Sequence, residues 1–122
     1  MLLKISLLIV TLWIHGAVSD YTCNTQFTID ANNNGICKGQ FVDQTAHEYS
    51  CVRSSCADQN RNYSPMSGCK GNGSSNQNCA QYTYNKSADD YTCINLQKTA
   101  FTCPDTPANV PAMTCTSCTK VN

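Results

Sequence analysis

Tyr21-Thr22-Cys23-Asn24-Thr25-Gln26-Phe27-Thr28-Ile29 is the stretch that decides the fold. Tyr21, Cys23, Thr25, Phe27 and Ile29 alternate with Thr22, Asn24, Gln26 and Thr28, and period two is the signature of a half-buried β-strand. Asp30-Ala31-Asn32-Asn33-Asn34-Gly35 follows, and Asn and Gly tolerate the positive φ that a tight reversal needs. Residues 36–42 then return as the second arm of a hairpin.

Outward from this hairpin one tripeptide recurs: a bulky apolar residue, a hydroxyl residue, then cysteine. It occurs as Tyr21-Thr22-Cys23, Tyr49-Ser50-Cys51, Tyr91-Thr92-Cys93, Phe101-Thr102-Cys103 and Met113-Thr114-Cys115. Residues two apart on a strand share a face, so the bulky side chain and the sulfur point inward together. The repetition is compatible with an internal duplication, although the flanking residues match poorly. The middle of the chain, 60–78, is dense in Asn, Ser and Gly and pinned by Cys69, which reads as an anchored loop. Pro104, Pro107 and Pro111 stiffen a connector before Cys115-Thr116-Ser117-Cys118. The nearest thing to a helix candidate is 46–52.

The chain begins with a short positive segment ending in Lys4, an apolar run over 5–14, and Ala17-Val18-Ser19 before Asp20. This is the layout of a signal peptide over 1–19, with small residues at the −3 and −1 positions of the cleavage site. An apolar run of about ten residues is too short for a membrane span, which needs roughly twenty. The mature part, 20–122, keeps one Leu, three Ile, four Val and three Phe. That is about a tenth of the segment, below the roughly 20% at which disorder becomes the default. Ten cysteines reverse that default, because cross-links limit the entropy of the unfolded chain in small exported domains. The expectation is one small disulfide-rich, β-rich domain over 20–122, with about five disulfides and little helix. Two stapled lobes split near Asn72 are the alternative. The half-cystines are Cys23, Cys37, Cys51, Cys56, Cys69, Cys79, Cys93, Cys103, Cys115 and Cys118, and about 945 pairings remain open.

The chemistry-bearing residues are few. His47 is the one histidine of 20–122 and adjoins Glu48, with Arg53 and Arg61 beyond, which raises a secreted ribonuclease as a possibility. Neighbours on a strand point to opposite faces, so an exposed polar surface is the preferred reading. No G-x-S-x-G elbow is present. Cys115-x-x-Cys118 has the spacing of a redox motif or of half a zinc site, and Cys51-x4-Cys56 is the other close pair; structural disulfides are favoured for both. No catalytic residue, metal or cofactor is assigned. Near-neutral charge, seven Lys and Arg against eight Asp and Glu in 20–122, argues against nucleic acid and anionic membrane as ligands. Asn62-Tyr63-Ser64, Asn72-Gly73-Ser74 and Asn85-Lys86-Ser87 are sequons, so Asn62, Asn72 and Asn85 are candidate N-glycan sites. Tyr82 and Tyr84 share a face of a short strand; exposed, such rings stack on sugars or anchor an interface.

A signal segment followed directly by Tyr21-Thr22-Cys23, in a short cysteine-rich chain, resembles the small secreted effector candidates of plant-associated fungi of the rust and powdery mildew type. Those carry an aromatic-x-cysteine motif soon after the signal peptide. Hydrophobins and CFEM-type domains carry adjacent cysteines, which this chain lacks. The resemblance implies secretion toward a host and modulation of its defences. The expected function is therefore a secreted, non-catalytic protein that binds a host protein in the extracellular space (the apoplast), with the tyrosines and 60–78 as contact surface. A glycan-binding cell-wall protein and a small secreted hydrolase or ribonuclease are the alternatives.

Overall fold

The alternating stretch is extended, but it serves two sheets. In the computed structural model, which describes residues 20–40, 46–73 and 75–121, β1 (Tyr21–Thr22) and β2 (Gln26–Ile29) are separated by a bend at Asn24 and Thr25. Cys23 and Phe27 are both fully buried, so the inward face of the pattern persists across the bend. The expected signal peptide, and 41 and 42 of the second hairpin arm, lie outside the described residues.

β2 turns into β3 (Asn34–Gln40) through the reversal at 30–34. The Asp30 carboxylate accepts the backbone N–H groups of Asn32 and Asn34, each at 2.9 Å, and Asn33 takes the left-handed conformation at φ 61°. A three-residue loop ending in a left-handed residue is a standard hairpin connection. The same device returns between β8 (Asp90–Asn95) and β9 (Ala100–Pro104). There the Asn95 side-chain oxygen accepts from Gln97 at 3.0 Å and Thr99 at 2.9 Å, with Lys98 at φ 64°.

Residues 46–52, the helix candidate, form β4 (Ala46–Val52), which pairs with β3 along its whole length. A three-residue 3-10 turn at Arg53–Ser55 is the one helical piece among the described residues. Pairing with β3 on one side and with the later strand over 118–120 on the other overrides local preference. The chain continues through β5 (Cys56–Ala57), β6 (Ser64–Met66), β7 (Gln77–Asn85), β8 and β9, then β10 (Thr114–Cys115) and β11 (Cys118–Lys120). The segment 60–78 is thus only partly loop, since β6 lies inside it and pairs with the start of β7. All strand pairs are antiparallel. The large sheet runs β11-β4-β3-β2-β7-β8-β9 with β6 beside β7, and the small one runs β1-β10-β5.

Four of the five tripeptides oppose one another. Tyr91 faces Cys103 and Cys93 faces Phe101 across β8 and β9, with Thr92 opposite Thr102. Tyr21 faces Cys115 with Thr22 opposite Thr114, and the N–H of Cys23 donates to the Met113 carbonyl at 2.8 Å. Antiparallel pairing of two such tripeptides sets each bulky side chain beside a half-cystine and stacks the hydroxyl residues on the other face.

Five disulfides are formed and no described cysteine is free. Cys23 pairs with Cys37. The other eight are nested: Cys51–Cys118 encloses Cys56–Cys115, which encloses Cys69–Cys103, which encloses Cys79–Cys93. Two of these bridges join directly opposed strand residues, Cys51 with Cys118 and Cys56 with Cys115. The sulfurs gather into two clusters. Those of Cys23, Cys37 and Cys115 lie within 4.8 Å of one another, as do those of Cys51, Cys56 and Cys115, which makes one stack of three bridges. Cys79, Cys93 and Cys103 form the second cluster. Phe27, Tyr82 and Met113 fill the remaining interior, each at most 1% exposed. A Cβ at Gly35 would stand 2.8 Å from the Phe27 ring, and one at Gly71 2.5 Å from the Phe101 ring, so both rings are seated against bare backbone. The domain is the small disulfide-rich β fold that the composition requires.

Candidate functional site

His47 and Glu48 lie on β4 opposite Gly39 and Lys38 respectively, and successive strand residues face opposite ways. Arg53 and Arg61 meet elsewhere, in an open groove of about 610 Å³ walled also by Asn33, Asn34, Asn60 and Asn62. The Arg53 guanidinium sits 5.0 Å from the Phe27 ring centroid and donates to the carbonyls of Cys56 at 3.3 Å and Asn62 at 2.9 Å. Partial burial lowers its pKa from the ordinary value. Arg61 donates from Nε to the Asp58 carbonyl at 3.2 Å, stands 3.6 Å from the Asp58 carboxylate and lies over Tyr63. Both guanidinium groups therefore close the irregular 53–62 segment by satisfying its carbonyls. His47 and Glu48 do not line this groove, so the four residues of the ribonuclease idea are not brought together.

The two close cysteine pairs are brought together. Cys51-x4-Cys56 is joined strand to strand to Cys115-x-x-Cys118 by two bridges, so neither pair is internally bonded. These sulfurs are disulfide sulfurs and offer no thiolate for attack or metal ligation.

A second open groove, about 550 Å³, runs between Tyr84 on β7 and Tyr91 on β8, the bend at Asn24 and Thr25, and the proline-rich connector. Tyr84 and Tyr91 stand with ring centroids 5.2 Å apart at 51°. The Tyr84 hydroxyl donates to the Asp89 carboxylate at 2.7 Å, and with the desolvation and charge around it this bond pushes its pKa up to about 12. Asp105 is raised from the ordinary carboxylate value by lost hydration, then by a hydrogen bond with Asp89 and by that carboxylate's charge. Asp89 is held in place by the left-handed turn it occupies, φ 54°. On the connector, Asn109 is 2% exposed and ties two segments down. Its amide nitrogen donates to the carbonyls of Ser67 and Pro104, each at 2.8 Å, and its oxygen accepts the Ser67 N–H at 2.7 Å. Pro107 and Val110 stay exposed on the groove wall, Val110 at 70%.

Of the sequence-derived surface candidates, Tyr84 reaches this groove. Tyr82, on the same strand face, points inward, and its hydroxyl donates to the Cys23 carbonyl. Asp89 and Asp105 were missed, because no spacing rule connects a turn residue to one after a proline. The sequons differ as well. Asn62 and Asn72 are exposed, whereas the Asn85 amide is engaged, donating to Asp90 at 2.9 Å and Thr92 at 3.0 Å. Ser64, the hydroxyl residue of the first sequon, is buried and its Oγ has no partner. No protein-family model, no curated protein and no solved structure matches this chain.

Proposed function

We propose that the protein is exported and acts without catalysis, as an effector that binds a host protein in the extracellular space and alters defence there. The observation that carries this reading is the pairing of all ten cysteines in five disulfides, with nine of the half-cystines buried. Such a fold belongs to an oxidising compartment, and cross-links suppress the local opening on which proteases depend. None of the described helices is long and apolar enough to cross a membrane. A rigid frame of this kind holds two open grooves as fixed contact surfaces, one carrying arginine and amide groups and the other tyrosine and carboxylate groups. A reducing cytosol would attack the frame itself. The hydrolase alternative has less support, since His47 and Glu48 lie on opposite faces of β4 and outside both grooves.

The test expresses the chain with and without residues 1–19 in host tissue. Altered defence from the exported form alone supports the reading, and altered defence from the cytosolic form alone refutes it. A His47→Ala variant should retain whatever activity the exported form shows. Loss of that activity in a folded, fully oxidised variant would restore the enzyme alternative.

A further inference from the structure

We infer that the groove between Tyr84 and Asp105 binds an uncharged, hydroxyl-rich sugar chain. The inference rests on the reading of the protein as an extracellular binder, not on the identity of any host protein. A pyranose ring presents apolar C–H faces and a rim of hydroxyls, and the groove offers the complement of both. The Tyr84 ring, backed by the buried Tyr91 ring, together with Pro107 and exposed Val110, supplies apolar contact. The Asp105 carboxyl adds a hydrogen-bonding group to the lining. An aromatic body with a polar tip suits such half-wet contacts.

Volume and charge narrow the occupant. About 550 Å³ falls within the roughly 300–1,000 Å³ of ligand sites, and the open shape suits a chain passing through rather than an enclosed small molecule. The lining contains no Lys, Arg or His, while Asp105 belongs to it and Asp89 adjoins it through Tyr84 and Asp105. Uronate or phosphorylated chains would bring like charge to these carboxylates and are disfavoured. The site is also pre-formed. Asn109 pins the connector through three hydrogen bonds, and the β7–β8 turn fixes Asp89, so little ordering cost remains on binding.

The experiment titrates the intact, oxidised protein with N-acetylglucosamine hexamer, β-1,3-glucan hexamer and oligogalacturonate, reading backbone amide shifts by NMR. At least one uncharged hexamer should move the signals of Tyr84, Tyr91, Asp105, Thr106 and residues 108–110, and oligogalacturonate should not. Asp105→Ala, an exposed position, should weaken binding about tenfold or more. Tyr84→Ala should weaken it similarly, and Tyr84→Phe, which keeps the ring, should restore much of the loss. Lys120→Ala on β11 should change nothing. Absence of shifts with both uncharged hexamers overturns the inference, as does binding that Tyr84→Ala and Asp105→Ala leave intact, or preference for oligogalacturonate. Defence activity persisting in Tyr84→Ala and Asp105→Ala variants that no longer bind sugar would leave the host-protein reading standing, so the two can fail separately.

Discussion

The three-bridge stack and the two-bridge cluster use the same tripeptide to opposite ends. In the cluster, Tyr91-Thr92-Cys93 and Phe101-Thr102-Cys103 lie on consecutive strands, and a five-residue reversal brings them face to face. In the stack, Tyr21-Thr22-Cys23 meets Met113-Thr114-Cys115 from the far end of the domain. One region is local in sequence and the other is assembled from both ends of the described chain. The bridges follow suit, with separations of 14 and 34 residues in the cluster against 14, 59 and 67 in the stack. Sulfur thus replaces aliphatic core in both places, but only in the stack does it also carry the topology. Loop-closure entropy rises with the logarithm of loop length, so the long bridges constrain the unfolded chain most.

The largest expected effect breaks the stack. Cys51–Cys118 and Cys56–Cys115 are neighbours in the nest, so either alone holds β10 and β11 near β4 and β5. With one in place, the other closes a ring of only about ten residues, worth about 2.5 kcal/mol on the chain-entropy account. Removing both also releases a loop of 67 residues, worth about 4.4 kcal/mol more, for a combined cost of about 7 kcal/mol. Against a total stability of about 5–15 kcal/mol, that loss detaches the C-terminal strands or unfolds the domain. Denaturant unfolding of the two single-bridge alanine variants and of the double variant measures it. Single losses that simply add to the double loss would show that the nest does not act as a clamp.

A smaller effect is expected in the cluster. Replacing Cys79 and Cys93 by alanine opens a loop of 14 residues, worth about 3 kcal/mol, and β7 and β8 stay paired through their ladder. Hydrogen exchange should accelerate over β7–β9 and stay slow over β3–β4. Equal acceleration in both regions would mean that the two clusters are one cooperative unit.

Much of this difference was readable in advance. Period two in 21–29, the Asn-rich reversal and the inward-facing tripeptides led directly to the β fold, since local pattern and tertiary pairing agree there. The nest was not readable, because any of the cysteines satisfies the same local rule and only long-range register selects Cys118 for Cys51. Residues 46–52 misled for a related reason. A short mixed segment acquires strand character from β3, the strand just before it, and from β11, which arrives from 118–120. The second groove was half visible. Tyr82 and Tyr84 were singled out together from their strand, and of the two only Tyr84 lines the groove, Tyr82 being buried against Cys23. Asp89 and Asp105 come together through a left-handed turn and a pinned connector, which no motif encodes.

The smallest effect sharpens the comparison at the point where the two regions touch. Tyr82 belongs to β7, yet its hydroxyl donates to the carbonyl of Cys23 in the stack. Burial, foremost, pushes its pKa far above the ordinary 10. Tyr84 is pushed up to about 12 by its bond to Asp89, and burial raises Tyr49 and Tyr91 as well. For each of these groups the folded-state pKa exceeds the unfolded one. Their contribution to stability is therefore complete below pH 10 and is lost as pH rises through the folded values. Phenolate absorbance of the native protein should lag behind that of the reduced, denatured chain above pH 10, and the lag should end in a cooperative rise as the domain opens. Tyr82→Phe removes the link and leaves the Cys23 carbonyl without that donor, at a cost of about 1–2 kcal/mol. It should lower stability at neutral pH and flatten the loss of stability above pH 10, because the buried phenol that must ionise on opening is gone, and Tyr84→Phe should flatten that loss to a smaller extent. Coincident titration of all the tyrosines near pH 10 in the native protein would show that the Tyr82 contact does not join the two regions.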